Sequence, residues 1–208
     1  ISKITAQDVK YAEDLGFRIK HLGIARRAAN GIELRVHPTL IPAEELIANV
    51  NGVKNAVLVQ AHAVGPTLYY GAGAGAGPTA SAVVADVIDI VRDISYTEDG
   101  AGTIPQLAFE ALTNVPILSR EEMTTGYYIR LNAEDQTGVL ADVTTILSRA
   151  GISIDAIMQQ SRLKDLIPIV ILTDPVLESK MDEALAQIQA LPTIHGEIIR
   201  IRLESLDS

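Results

Sequence analysis

Hydrophobic and polar positions keep their most regular pattern between Tyr127 and Leu203, where the periods read strand, helix, strand, strand, helix, strand. Ile129 and Leu131 alternate with Tyr128 and Arg130 at the two-residue period of a half-buried strand. A polar stretch closed by Gly138 follows, and then Val139, Leu140, Val143, Ile146, Leu147 and Ala150 recur at helical spacing until Gly151 stops them. Ile152 to Gln160 alternates again, and Leu166 to Leu172 is an almost unbroken apolar run, so the two predict a hairpin across Ser161 to Asp165. Asp174-Pro175 offers a cap followed by proline at the first helical position, before Leu177, Met181, Leu185, Ile188 and Leu191 on one face. Ile199, Ile201 and Leu203 carry the last strand. This βαββαβ order predicts a ferredoxin-like plait with both helices on one sheet face. Its third strand is apolar on both sides, so another module or a second copy is expected on the other face.

The first half predicts a mostly antiparallel sheet carrying helices, which makes the expected fold class α+β. Thr5 to Leu15 reads as a helix with Val9, Ala12 and Leu15 inward and Asp8 and Glu13 outward, ended by Gly16. A strand from Phe17 to Ala29 meets Asn30-Gly31, a two-residue hairpin signal, and returns through Ile32 to Val36. A short helix is expected at Ala43 to Ala48, then strands at Ala56 to Val59 and Thr67 to Tyr70. Gly71-Ala72-Gly73-Ala74-Gly75-Ala76-Gly77 leads from that last strand into a helix from about Thr79 to Arg92. Its apolar face is Ala80, Val83, Val84, Val87, Ile88 and Val91. A glycine-rich strand-to-helix loop lets backbone N–H groups approach a phosphate. Gly71-x-Gly73-x-x-Ala76 matches a dinucleotide fingerprint only in part, and spacing alone weighs a tight packing loop equally with a cofactor contact. Ile94 to Glu122, with Gly100, Gly102, Pro105 and Pro116, reads as a linker holding one helical turn near Gln106 to Ala111.

Two resemblances sharpen this reading. Asp135-Gln136-Thr137-Gly138-Val139-Leu140, together with Gly151-Ile152-Ser153-Ile154 entering the second strand, resembles an ACT domain, an amino-acid-binding regulatory module. The resemblance implies an effector pocket at Asn132, Asp135, Gln136, Gly138, Val139, Leu140 and Ser153, often completed by a neighbouring ACT copy. Free N–H groups at Gly138 to Leu140 suit an α-carboxylate, and Asp135 suits an α-ammonium. Against this stands the plainer alternative that Asp135 caps the helix and Gly138 turns the chain. Upstream, Ile4-Thr5 through Leu15-Gly16, Lys20 to Ala25, Arg35-Val36-His37-Pro38, Val50 to Ala56 and Tyr70 to Val83 resemble the C-terminal part of the homoserine dehydrogenase catalytic domain.

That second resemblance implies an oxidoreductase interconverting L-homoserine and L-aspartate 4-semialdehyde with NAD(P), on the path to threonine and methionine, with Gly73 and Gly75 returning to the cofactor. The chain opens at Ile1 and is expected to be a portion of a longer polypeptide. The family's nucleotide-binding domain and catalytic segment are expected before it, so no catalytic residue is assigned and no tight cofactor binding is expected of the chain alone. The expected division is 1–93 as the end of a substrate and dimerisation domain, 94–125 as linker and 126–205 as ACT domain. The implied partners are a second copy of the chain and L-threonine as effector. The alternative is a non-catalytic amino-acid sensor or assembly module built on the same ACT fold.

Composition narrows the classes further. The 208 residues are 48% hydrophobic and 21% charged, with 17 Lys and Arg against 26 Asp and Glu, a net charge of −9. An acidic chain without a basic run argues against nucleic acid and anionic membrane as partners. There are no cysteines, hence no disulfide, thiolate metal site or cysteine nucleophile, and the cytoplasm is the expected compartment. His21, His37, His62 and His195 lack metal-ligand spacing, so no metal is expected. Asp86, Asp89 and Asp93 read as the solvated face of the valine-rich helix, and Ser81 lacks a nucleophile elbow.

Overall fold

A computed structural model describes residues 2–97, 113–159 and 166–206 of the chain. These residues fall into two compact units, Ile1–Ala48 with Val115–Ser208, and Asn49–Asn114. The fold is mixed, with helices packed on a mostly antiparallel sheet. The expected hairpin loop at Ser161 to Asp165 and the helical turn near Gln106 to Ala111 lie outside the described residues.

The first unit is built on one six-stranded sheet. Its N-terminal part supplies α1 (Ala6–Asp14), β1 (Phe17–Ala28) and β2 (Gly31–Pro42), and its C-terminal part supplies β5 (Thr124–Glu134), α3 (Val139–Arg149), β6 (Ile154–Gln159), β7 (Leu166–Leu177), α4 (Glu178–Gln189) and β8 (Ile194–Leu203). The strand order is β1-β2-β8-β5-β7-β6. Within it β8-β5-β7-β6 is the plait that the periodicity predicts, antiparallel at every step. The hairpin β1–β2 extends this sheet through a short parallel seam in which Thr39 pairs with Arg202 and Leu40 with Leu203.

Alternation along β5 sends successive residues to opposite faces. Tyr127, Ile129, Leu131 and Ala133 meet Val143 and Leu147 of α3 and Met181, Ala184 and Ile188 of α4 in one core. Tyr128, Val170, Leu172, Ile199 and Ile201 face the other way and meet Tyr11 and Ala12 of α1 with Leu40 of β2 in a second. Each large side chain buried in this way contributes about 1.5–3 kcal/mol. The doubly apolar β7 is thereby explained: its second face is covered by the N-terminal module of the same chain.

Four local expectations are corrected. On α1, Asp8 faces inward and is fully buried while Val9 is 43% exposed. Asp8 completes a capping box with Thr5 and then accepts from Arg130, so the helix turns its carboxylate toward the sheet. The hairpin connection consists of Ala29 and Asn30, because Gly31 already pairs with Ala28. The strand after it continues through Pro38 to Pro42, paired throughout with β1, and the short helix beyond it is only a 3-10 turn at Leu46–Asn49. Finally, Asp174 and Pro175 do not start a helix. Their strand runs on to Leu177, held by Thr124 and Thr125 on one side and by the Asp174 N–H donating to the Ser153 carbonyl on the other. The helix begins at Glu178, after Leu177 as N-cap.

The second unit contains β3 (Lys54–Ala61), β4 (Gly65–Ala72) and α2 (Ala76–Thr97). The strands form a two-stranded antiparallel hairpin. The apolar face expected of α2 is present but uncovered among the described residues: Val83, Val84, Val87, Ile88 and Val91 are all exposed. The chain re-enters the first unit where Ile117 bridges Ile32.

Candidate functional site

The loop between β5 and α3 is set by its glycine. Gly138 takes φ +98 as the N-cap of α3, a backbone region that side chains other than glycine rarely adopt. The N-cap position of α3 is Gly138 itself, with no side-chain cap hydrogen bond. The first main-chain bond inside the helix is the Asp142 N–H to the Gly138 carbonyl at 2.9 Å. The earlier N–H groups of Val139 and Leu140 belong to the first turn, where a helix offers donors to an anion. Val139 is buried in the α3 side core and Leu140 packs against it, so both present only backbone outward.

Asp135 and Gln136 are exposed. Gln136 is folded back on Glu134, its Nε2 donating to the Glu134 carboxylate at 2.6 Å and its N–H to the Glu134 carbonyl at 2.9 Å. The other Glu134 oxygen lies 2.8 Å from His195 Nε2. Asp135, Gln136, Gly138, Val139 and Leu140 thus form one cluster at the start of α3. Asn132 is two residues from Arg130 on β5 and shares its face, the one turned away from α3. Ser153 is exposed beyond the far end of α3, about 16 Å along an eleven-residue helix from Gly138. Within one copy of the chain the structure brings five of the seven residues together and leaves Asn132, on the other face of β5, and Ser153 apart.

In the second unit, Gly73 and Gly75 lie between β4 and α2. A Cβ at Gly73 falls 1.9 Å from the Asn55 side chain, and Gly75 sits at φ +126, so both glycines have a local reason for being glycine. Around Gly71 and Gly77 a Cβ meets nothing within 4 Å. The exposed loop leads directly into the first turn of a 22-residue helix, whose early N–H groups point toward it. An open main chain with helix donors behind it fits one wall of a phosphate-binding turn.

Two buried carboxylates anchor the first unit. Asp8 accepts from Arg130 Nε at 2.5 Å and Nη2 at 3.1 Å and from the Tyr128 hydroxyl at 3.1 Å. Burial pushes its pKa up, but Arg130 and the Thr5 hydrogen bonds outweigh this and hold it below the usual carboxylate value. Glu178, also fully buried, accepts from the Tyr127 hydroxyl at 2.6 Å, Arg120 Nε at 3.0 Å and Arg202 Nε at 2.9 Å, with Arg200 Nη2 at 3.3 Å. Desolvation opposes its charge, and these donors prevail, bringing the pKa down to about 2. Burial, with Asp8 and Glu178 beside them, pushes the Tyr128 and Tyr127 hydroxyls up. Sequence reading missed both networks. The only signal for the first was the Thr5-x-x-Asp8 capping spacing.

Family models match the two parts separately: homoserine dehydrogenase over residues 1–88 and ACT domain over 127–193. Along its full length the chain is 53% identical to the homoserine dehydrogenase of Pseudomonas aeruginosa, of which it covers 48%. With that of Neisseria gonorrhoeae it shares 49% identity, over 99% of this chain and 48% of the relative. The crystal structure of a homoserine dehydrogenase from Thiobacillus denitrificans superimposes with a TM-score of 0.89 at 56% identity, over 99% of this chain and 47% of that one. The chain belongs to the homoserine dehydrogenase family. It spans about half the length of the curated relatives it matches. Structures of the Staphylococcus aureus enzyme, at 22–24% identity and TM-scores near 0.65, share the fold. No helix among the described residues is long and apolar enough to cross a membrane.

Proposed function

We propose that this chain is the dimerising and amino-acid-sensing part of a homoserine dehydrogenase, an NAD(P)-dependent enzyme that interconverts L-homoserine and L-aspartate 4-semialdehyde in threonine and methionine biosynthesis. In this reading residues 1–93 complete the substrate and dimerisation domain, 94–125 link, and 126–205 regulate. The observation that carries it is the single six-stranded sheet in which the segment matching homoserine dehydrogenase and the ACT domain share one seam and one core. A regulatory domain fused in this way can bias its neighbour through differential affinity of an effector for two arrangements.

L-threonine is the proposed effector, with its carboxylate on the N–H groups at Gly138 to Leu140 and its ammonium on Asp135. Because Ser153 lies a helix length away, the pocket takes Ser153 from a second copy of the chain. The geometry favours that pairing: β8 is covered by β2, which leaves β6 as the edge of the ACT sheet open to a partner. Gly73 and Gly75 are proposed to border the cofactor in the whole enzyme. The chain alone is proposed to have no turnover; NAD(P)H oxidation by it with aspartate semialdehyde overturns that point.

The test is a calorimetric titration of the chain with L-threonine, with serine, isoleucine and methionine as comparisons, while its mass in solution is followed. Saturable threonine binding that shifts the assembly, and that Asp135→Ala weakens at least tenfold, supports the reading. Unchanged binding in Asp135→Ala sinks the pocket, and a folded chain that binds none of the four amino acids sinks its sensing role.

A further inference from the structure

Asparagine is followed by glycine twice in the chain, at Asn30-Gly31 and at Asn51-Gly52. In such a pair the glycine nitrogen can attack the carbonyl carbon of the asparagine side chain, because the glycine has no Cβ to stand in the way. The attack needs a nitrogen that is not held in a hydrogen bond, a peptide unit free to turn toward the side chain, and water to complete the reaction. The two pairs differ in all three.

Asn30 is exposed, but Gly31 is buried. The Ile32 N–H donates to the Pro116 carbonyl at 2.9 Å and the Leu118 N–H to the Ile32 carbonyl at 3.0 Å, so Ile32 turns its main chain away from β1. Alternation then turns the Gly31 N–H toward β1, where it closes the hairpin opposite Ala28. The Pro116 carbonyl, 2.3 Å from the place of a Gly31 Cβ, also blocks rotation of that peptide. Asn51-Gly52 lies in the turn before β3, with residues 51–55 all exposed. The Gly52 N–H makes no hydrogen bond among the described residues, and a Cβ built on Gly52 meets nothing within 4 Å. The Asn51 Nδ2 donates to the Asn49 carbonyl at 3.1 Å, an exposed bond for which water can substitute.

We propose that Asn51 is a site of spontaneous covalent modification, which converts to isoaspartate and aspartate while Asn30 stays intact. The deprotonated Gly52 nitrogen bonds to Asn51 Cγ, the Cγ–Nδ2 bond breaks, and the proton given up by Gly52 leaves with Nδ2 as ammonia. Water then opens the resulting cyclic imide at either carbonyl, so one water enters for each ammonia lost, with no oxidant or reductant. Opening at the main-chain carbonyl reroutes the backbone through the side chain and lengthens it by one methylene, and either product adds a negative charge. The Lys54 N–H donates to the Asn51 carbonyl at 3.3 Å, and Lys54 and Asn55 pair with Ala72 and Gly71. The longer backbone therefore enters at the root of the hairpin that carries the glycine-rich loop.

The test keeps the folded chain in warm, mildly alkaline buffer, digests samples at intervals and follows both asparagine peptides by mass spectrometry. Protein L-isoaspartyl methyltransferase reports the isoaspartate, and a parallel sample is held unfolded in urea. In the folded chain Asn51 is expected to convert at least tenfold faster than Asn30 and to give both products, and in urea the two rates are expected to become comparable. Conversion of Asn30 that keeps pace with Asn51 in the folded chain overturns the proposal, as does an Asn51 peptide that stays unchanged there. A disparity that persists undiminished in urea belongs to the local sequence and overturns the role given to the fold.

Discussion

Asp8 and Glu178 are both fully buried carboxylates, and each is stable as an anion only because arginines reach it. Removing one member of such a pair leaves the other charge buried and uncompensated, which costs about 3–5 kcal/mol. Asp8→Ala is therefore expected to lower stability by that amount in urea unfolding, because Arg130 loses both of its partners' oxygens; a loss under 1 kcal/mol contradicts the geometry. Glu178 adds a pH dependence. Its pKa is depressed in the folded state, so its contribution is complete above the ordinary carboxylate value of about 4.5 and is lost as pH falls from there through about 2. Thermal melts are expected to show that acid limb, and Glu178→Gln to flatten it while lowering the melting temperature at neutral pH. Neither anchor was legible as such. Asp8, the third residue of α1, advertises a capping box with Thr5, but Arg130 lies 122 residues away, and no local period connects them. The start of α3 was legible, since a polar loop closed by glycine before an apolar helical period admits few other structures.

At the scale of elements, close approach of backbone decides where the hairpin β1–β2 ends. A Cβ at Gly31 falls 2.3 Å from the Pro116 carbonyl, which accepts from the Ile32 N–H at 2.9 Å. Backbone cannot swing aside as a side chain can, so Gly31→Ala is expected to cost about 1–3 kcal/mol and to expose the Ile32 and Leu118 amides to hydrogen exchange. Protection at those amides equal to that of the parent chain refutes this. The same contact explains why Asn30-Gly31 was read one residue late: the glycine serves a neighbour outside the hairpin, and the turn itself needs only Ala29 and Asn30. Asp174-Pro175 misled for a related reason. A cap followed by proline competes with strand pairing, and here β5 holds Val176 and Leu177 in the ladder beyond the proline. Local propensity gave the helix α4 and the inward positions Met181, Leu185 and Ile188, while tertiary pairing moved its start and left Leu177 exposed as the N-cap.

At the scale of the molecule, the two cores of the first unit draw no residue from Asn49–Asn114, and none of the described residues from Asn49 onward in that segment is buried. Replacing it by a flexible linker of about 20 residues, which spans roughly 25 Å, is expected to leave a cooperative melt within a few degrees of the parent. A broadened or missing transition contradicts the division. The joining of β1–β2 to the ACT sheet could not be read from the chain, because parallel pairing at the seam involves two residue pairs from its opposite ends. Hydrophobic periods locate strands but say nothing of which distant strand lies beside them. That seam also sets a timetable for synthesis. Arg35 and Glu204 are 169 residues apart, so as the chain leaves the ribosome the first hairpin waits, with Leu40 and Tyr11 uncovered, until β8 has emerged. In that interval it is a target for chaperones, and a pause in translation before β8 is expected to harm yield more than one after it.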